Sequence, residues 1–214
     1  QSRVPADFFL EVLSAYQEKL KDLNAVDFDD LIRLPVQLLR TVPEILAAYR
    51  ERWSHFLVDE FQDTNPLQYR FIKTLSAEKN NICVVGDDDQ SIYAWRGADL
   101  NIILGFHRDY PEAQVVKLER NYRSTARILE AASQVIANNK ERAAKVLKAT
   151  GLPGELIKLY AAPDEVQEAV YVADTIKTAL IRKRRKPEDF AILFRTNFQS
   201  RVFEQELRKR SIPL

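Results

Sequence analysis

Two short apolar runs in this chain end abruptly in acid, and that pattern constrains the fold more than any other. His55-Phe56-Leu57-Val58 leads into Asp59-Glu60, and Ile82-Cys83-Val84-Val85 leads through Gly86 into Asp87-Asp88-Asp89. A β-rich run of this length with carboxylates at its carboxyl end is how a buried parallel strand presents acids where open α/β sheets bind ligands. A third apolar run, Val115–Leu118, follows. Helical apolar spacing separates the three, at Pro66–Leu75 and Ala98–Phe106. Strand, helix, strand, helix, strand at this spacing predicts a parallel sheet with helices on its faces.

Upstream, residues 6–24 place Phe8, Phe9, Val12, Leu13, Tyr16, Leu20 and Leu23 at helical intervals. Asp27-Phe28-Asp29-Asp30 opens a second helix through Leu39, and Pro43 starts a third that runs to Arg52. After Arg123 the pattern restarts. Ser124 is the expected N-cap of a helix to about Asn138, and Gly151-Leu152-Pro153-Gly154 reads as a turn. Leu156–Tyr160 and Phe190–Phe194 read as strands, Glu165–Ile181 and Gln199–Lys209 as helices. A boundary near residue 123 follows: a helical segment over 1–26, one α/β domain over 27–123, and a second beginning at 124 and running to 214.

Charge supports two parts of different character. Residues 1–123 carry a balance of −5 and residues 124–214 one of +6, which together make the net +1 of the chain. An acidic, metal-using part beside a basic, polyanion-facing part has this polarity, and so do two ordinary surfaces. The single cysteine, Cys83, excludes a disulfide framework and points to a reducing, cytoplasmic compartment. Its place in an apolar run makes it a packing residue. No apolar run approaches the ~20 residues that span a bilayer. Met is absent throughout, including position 1, as expected of a piece of a longer polypeptide.

The acidic strand ends suggest chemistry on a nucleotide. A carboxylate such as Asp59 can hold Mg²⁺ on phosphates while its neighbour Glu60 polarises an attacking water. Three successive acids at 87–89 repel one another, so a purely structural role explains them poorly. Gln90 follows, neutral and able both to donate and to accept, which suits contact with a phosphate oxygen. Tyr93 and Trp95, two apart, fall on one side of an extended segment beside Arg96. Such a group forms a stacking platform for unpaired bases; a core Tyr/Trp pair is the competing reading. Arg123 at a domain junction can reach a γ-phosphate, as arginine fingers do, and Tyr122 can stack on a base. An interdomain ion pair is the alternative for Arg123. The basic run Arg182-Lys183-Arg184-Arg185-Lys186 is read as a solvated helix end before Pro187 rather than a DNA contact.

Taken in order, these segments resemble one family. Asp59-Glu60-Phe61-Gln62-Asp63-Thr64-Asn65 is similar to helicase motif II, and the stretch from Gly86 to Asp99 to motif III. Asn121-Tyr122-Arg123-Ser124-Thr125 is similar to motif IV of the UvrD/PcrA/Rep group of superfamily 1 DNA helicases. Val26-Asp27-Phe28-Asp29-Asp30-Leu31 and Phe194-Arg195-Thr196-Asn197-Phe198-Gln199-Ser200-Arg201 also look like that group. The resemblance implies parts of two RecA-like domains of the P-loop NTPase type, ATP and Mg²⁺ as ligands, and a 3′→5′ motor on single-stranded DNA. It implies Mg²⁺ on Asp59, general-base catalysis by Glu60, γ-phosphate contact by Gln90 and Arg123, and adenine packing by Tyr122. It further implies DNA contact by Tyr93, Trp95 and Arg96, and by Arg195 and Asn197, which rest on resemblance alone. Single-strand/duplex junctions and repair or replication proteins would be the partners.

The same family requires a Gly-x-x-x-x-Gly-Lys-Ser/Thr loop for the phosphates. The five glycines, at 86, 97, 105, 151 and 154, include no Gly-Lys pair. The 214 residues alone are therefore expected neither to hydrolyse ATP nor to unwind DNA, and the first sheet is expected to show a bare edge or a non-native partner. A non-catalytic DNA- or protein-binding module is the alternative function.

Overall fold

The computed structural model describes residues 6–140, 143, 145–182 and 185–213. The chain forms two compact units, Gln1–Gly154 and Glu155–Leu214. Among the described residues no helix is long and apolar enough to cross a membrane.

The first unit opens with three helices close to the expected bounds: α1 (Ala6–Asp22), α2 (Asp30–Thr41) and α3 (Pro43–Arg52). Pro43 occupies the first turn of α3, where its missing N–H costs nothing. The Asp27 carboxylate starts α2 by accepting the Asp30 N–H at 2.8 Å, and it also takes the Tyr16 hydroxyl at 3.0 Å. Those two donors hold the Asp27 carboxyl below the usual range, the Asp30 amide contributing most. Helix α1 keeps its amphipathic spacing, yet Phe8, Phe9, Leu13 and Tyr16 are all exposed.

Strands β1 (Phe56–Val58) and β2 (Ile82–Val84) pair in parallel, Phe56 opposite Ile82 and Val58 opposite Val84. Helix α4 (Pro66–Ser76) is the crossover between them. Asn65 starts it with a capping box: its side chain accepts the Leu67 and Gln68 N–H groups while the Gln68 side chain accepts the Asn65 N–H. The pleat turns Phe56 and Val58 inward and leaves Leu57 exposed, opposite Cys83. Cys83 is therefore exposed, not a packing residue, because it falls on the outward phase of the alternation.

Phe61, with no exposed surface, is the centre of the packing beneath this sheet end. It meets Tyr69 and Phe106 edge-on at 5.9 and 5.6 Å, and Phe106 stacks on Tyr110 at 4.6 Å. The buried Tyr110 hydroxyl bonds Ser76 at 3.1 Å. The helix expected over Ala98–Phe106 is two short ones, α5 (Leu100–Leu104) and α6 (Phe106–Asp109), parted at Gly105.

The expected strand Val115–Leu118 carries no ladder; Val115, Val116 and Leu118 are exposed. Pairing begins two residues later, where β3 (Arg120–Asn121) runs parallel to β4 (Lys148–Ala149). Helix α7 (Ala126–Ile136) follows, with Thr125 rather than Ser124 at its N-cap and no side-chain cap bond. The 151–154 turn replaces that cap: the carbonyls of Leu152 and Pro153 accept the N–H groups of Ala126 and Arg127.

In the second unit α8 (Glu165–Arg182) packs on α9 (Ser200–Lys209) through Ala173, Ile176, Leu207 and Ile212. Phe190 and Ile192 pack against that core while Leu193 points out, so the period of two survives, but neither Phe190–Phe194 nor Leu156–Tyr160 forms a ladder. A strand needs a neighbouring backbone, and none pairs with these segments among the described residues.

Candidate nucleotide and nucleic-acid site

The end of β1 is built around its own acids. Asp59 and Glu60 are both exposed, and the Asp59 carboxylate accepts the Glu60 N–H at 2.9 Å. Glu60 itself sits in the left-handed region at φ 47°, ψ 43°, an uncommon conformation for a residue with a Cβ. The turn continues with Phe61, whose N–H donates to the Val85 carbonyl at 2.9 Å and closes the loop onto the end of β2.

Gln62, 1% exposed, joins the two acidic ends. Its Nε2 donates to Glu60 Oε2 at 2.7 Å, and its Oε1 accepts the Asp87 N–H at 2.9 Å. Asp87 in turn collects donors: the Asp89 N–H, the Gln90 side-chain amide at 2.9 Å, and the Lys145 ammonium. Lys145 also lies 2.9 Å from Asp88 and 3.0 Å from Asp89. The mutual repulsion of three acids is thus answered by one cation. Burial pushes the Asp87 carboxyl up, but Lys145 and Gln90 outweigh it and hold it below the usual carboxylate range. Burial likewise opposes the charge on Lys145, and the three carboxylates keep its ammonium above the ordinary lysine value.

The aromatic pair lies just beyond. Ala94–Arg96 is a 3₁₀ turn, not the extended segment expected, yet it still brings Tyr93 and Trp95 to 6.3 Å between ring centres. The Arg96 guanidinium lies over both rings, at 5.0 and 4.6 Å. Trp95 is 74% exposed, which removes the core reading for that ring; Tyr93 is half-buried. Gly97 at φ 87° closes the turn in a conformation that favours glycine. The Asp99 N–H then donates to the Thr64 carbonyl at 3.1 Å, tying this segment back to the end of β1.

Tyr122 and Arg123 stand exposed on the turn after β3. The Asn121 side chain shapes that turn by accepting the N–H groups of Arg123 and Ser124 at 3.1 and 2.8 Å. Among the described residues no hydrogen bond or ion pair ties down the Arg123 guanidinium. Arg195 and Asn197 belong to the second unit and are exposed, in a turn where Gln199 Oε1 accepts the N–H groups of Arg195 and Thr196. Lys183 and Arg184 of the basic run lie outside the described residues.

Two residues of the site escaped sequence reasoning, Gln62 and Lys145. Gln62 had a signal, a neutral polar side chain two residues beyond the acids and next to Phe61. Lys145 had none, since its partners lie more than fifty residues away. As for a metal, no group of three or more His, Cys, Asp or Glu side chains placed to hold a metal ion occurs among the described residues. A lone exposed carboxylate such as Asp59 fits Mg²⁺, which takes one or two carboxylates and fills its shell with waters and substrate phosphates.

Residues 1–111 match the UvrD/REP helicase N-terminal domain family, and residues 116–214 the UvrD-like helicase C-terminal domain family. The ATP-dependent DNA helicase PcrA of Staphylococcus aureus (strain Mu50) is 48% identical over 94% of this chain. Those of Leuconostoc citreum and Bacillus subtilis (strain 168) are each 46% identical, over 95% and 99% of it. The chain spans 27–29% of the length of these relatives.

Proposed function

Because the chain belongs to the UvrD/REP helicase family, we propose that it is the central part of an ATP-driven DNA motor. That motor would move 3′→5′ along single-stranded DNA and open duplex at single-strand/duplex junctions, serving repair or replication in the cytoplasm. The observation that carries this reading is the unbroken connection from Glu60 through Gln62 and Asp87 to Gln90, three residues before the exposed Tyr93–Trp95–Arg96 stack.

In this reading Glu60 accepts the proton of the attacking water, and Asp59 holds Mg²⁺ on the phosphates. Gln90 and Arg123 contact the γ-phosphate, and Tyr122 packs on the adenine. Tyr93, Trp95 and Arg96 hold unpaired bases, while Arg195 and Asn197 touch the DNA backbone. Mg²⁺ supplies charge neutralisation on the phosphates when bound. The domain boundaries that go with these roles are 1–26, 27–123 and 124–214, the last two RecA-like.

The test is ATP turnover by the full-length protein with and without single-stranded DNA, together with unwinding of duplexes carrying a 3′ or a 5′ tail. Turnover stimulated by DNA and unwinding of the 3′-tailed duplex alone are expected; equal unwinding of both refutes the polarity. The 214-residue chain by itself is expected to turn over no ATP above background, because it holds no Gly-Lys loop for the β- and γ-phosphates. Measurable turnover by it overturns that requirement. Trp95→Ala in the full-length protein is expected to weaken single-strand affinity by about 1–3 kcal/mol, read by fluorescence anisotropy of a labelled oligonucleotide. Unchanged affinity takes Trp95 out of the DNA site.

A further inference from the structure

Among the described residues, Gln62 is the fully buried polar side chain that touches both acidic strand ends, and the roles proposed above do not use it. Its orientation is not arbitrary. The Asp87 N–H can only donate, so the amide oxygen must face it, and the amide nitrogen must then face Glu60. The surroundings hold this arrangement. A Cβ at Gly86 would stand 2.7 Å from Gln62 Oε1 and 3.2 Å from the Gln62 backbone nitrogen, so only glycine leaves the amide its place. The Ser91 hydroxyl donates to the Gln62 carbonyl at 3.4 Å.

Glu60, by contrast, is exposed and sits on a left-handed backbone. Its Oε2 is engaged by Gln62, while Oε1 accepts no hydrogen bond among the described residues. We propose that Gln62 is a positioning residue: it aims the Glu60 carboxylate and fixes it to the acidic turn that carries Gln90. The hydrolytic strand end and the γ-phosphate contact then keep their relative geometry through one buried amide. Asp87 is the shared point, its N–H bound to Gln62 and its carboxylate to the Gln90 amide. This inference rests on the general-base role proposed for Glu60.

The experiment uses the full-length protein with Gln62→Glu and Gln62→Met, both close to glutamine in volume. Gln62→Met removes the hydrogen bonds and is expected to lower kcat for ATP by about 10–10²-fold with little change in KM, the scale of a misplaced catalytic group. Gln62→Glu puts a second carboxylate against Glu60. It too is expected to lower kcat with little change in KM, because it pushes the Glu60 carboxylate out of place; a packing role would leave the kcat of the folded protein unchanged. In a Glu60→Gln background, Gln62→Met should cost no further turnover, since both changes act through the same carboxylate. Wild-type kcat in either single variant, or additive losses in the double variant, overturn the proposal. Loss of the far-UV circular dichroism signal in both variants does so too, assigning Gln62 to packing. Wild-type protein without DNA-stimulated turnover fails the motor reading itself, and is told apart by needing no variant.

Discussion

In the full-length protein, Glu60→Gln is expected to lower DNA-stimulated ATP turnover by about 10²–10⁴-fold, the usual worth of a general base, and to leave nucleotide binding nearly intact. The substitution keeps the shape of the side chain, and its amide oxygen can still accept from Gln62 Nε2, which stands 2.7 Å from the carboxylate. What it removes is the capacity to take a proton from water. Asp59, held by the Glu60 N–H rather than by the Glu60 side chain, keeps its own place. Turnover from a coupled phosphate assay and affinity from a fluorescent nucleotide, measured separately, decide the matter. Binding lost in parallel with turnover rules out the base and makes Glu60 a ligand.

Phe61→Ala is expected to destabilise the first unit by about 3–5 kcal/mol, the range for removing a buried aromatic without collapse of the site. Phe61 has no exposed surface and meets two rings edge-on, so truncation leaves Tyr69 and Phe106 facing a void. The neighbours are poorly placed to fill it. Tyr69 donates to Asp109 at 2.5 Å, and Phe106 is stacked on Tyr110, itself bonded to Ser76. Amide hydrogen exchange in the full-length protein reads the effect locally. Protection of β1, β2 and α4 should fall by about 10²–10³-fold or more, since each 1.4 kcal/mol is tenfold. Protection unchanged in those three elements shows that the aromatic cluster does not hold the sheet end.

What could be read from the sequence divides along a physical line. The helices and the two acid-tipped strands follow from patterns inside one segment: apolar spacing, a proline at N1, carboxylates closing a β-rich run. Val115–Leu118, Leu156–Tyr160 and Phe190–Phe194 have the same local composition and still form no ladder, because a strand is a relation between two backbones. The Tyr93–Trp95 pairing was legible for a reason the structure replaces, a 3₁₀ turn in place of an extended segment. Lys145 among Asp87, Asp88 and Asp89 is wholly tertiary, and no spacing rule reaches that far. Gln62 lies between these cases: its position beside the acids is local, and its burial is not.

The left-handed backbone at Glu60 carries an evolutionary consequence. A residue with a Cβ gives up about 1–2 kcal/mol in that conformation, and glycine gives up almost nothing. Selection for stability alone would therefore favour Glu60→Gly, the change that deletes the side chain proposed as the general base. Under the general-base role proposed for Glu60, the glutamate stands where the backbone disfavours it, and selection for turnover is what would keep it there. Lineages released from that pressure should lose this residue before they lose the buried Phe61 beside it.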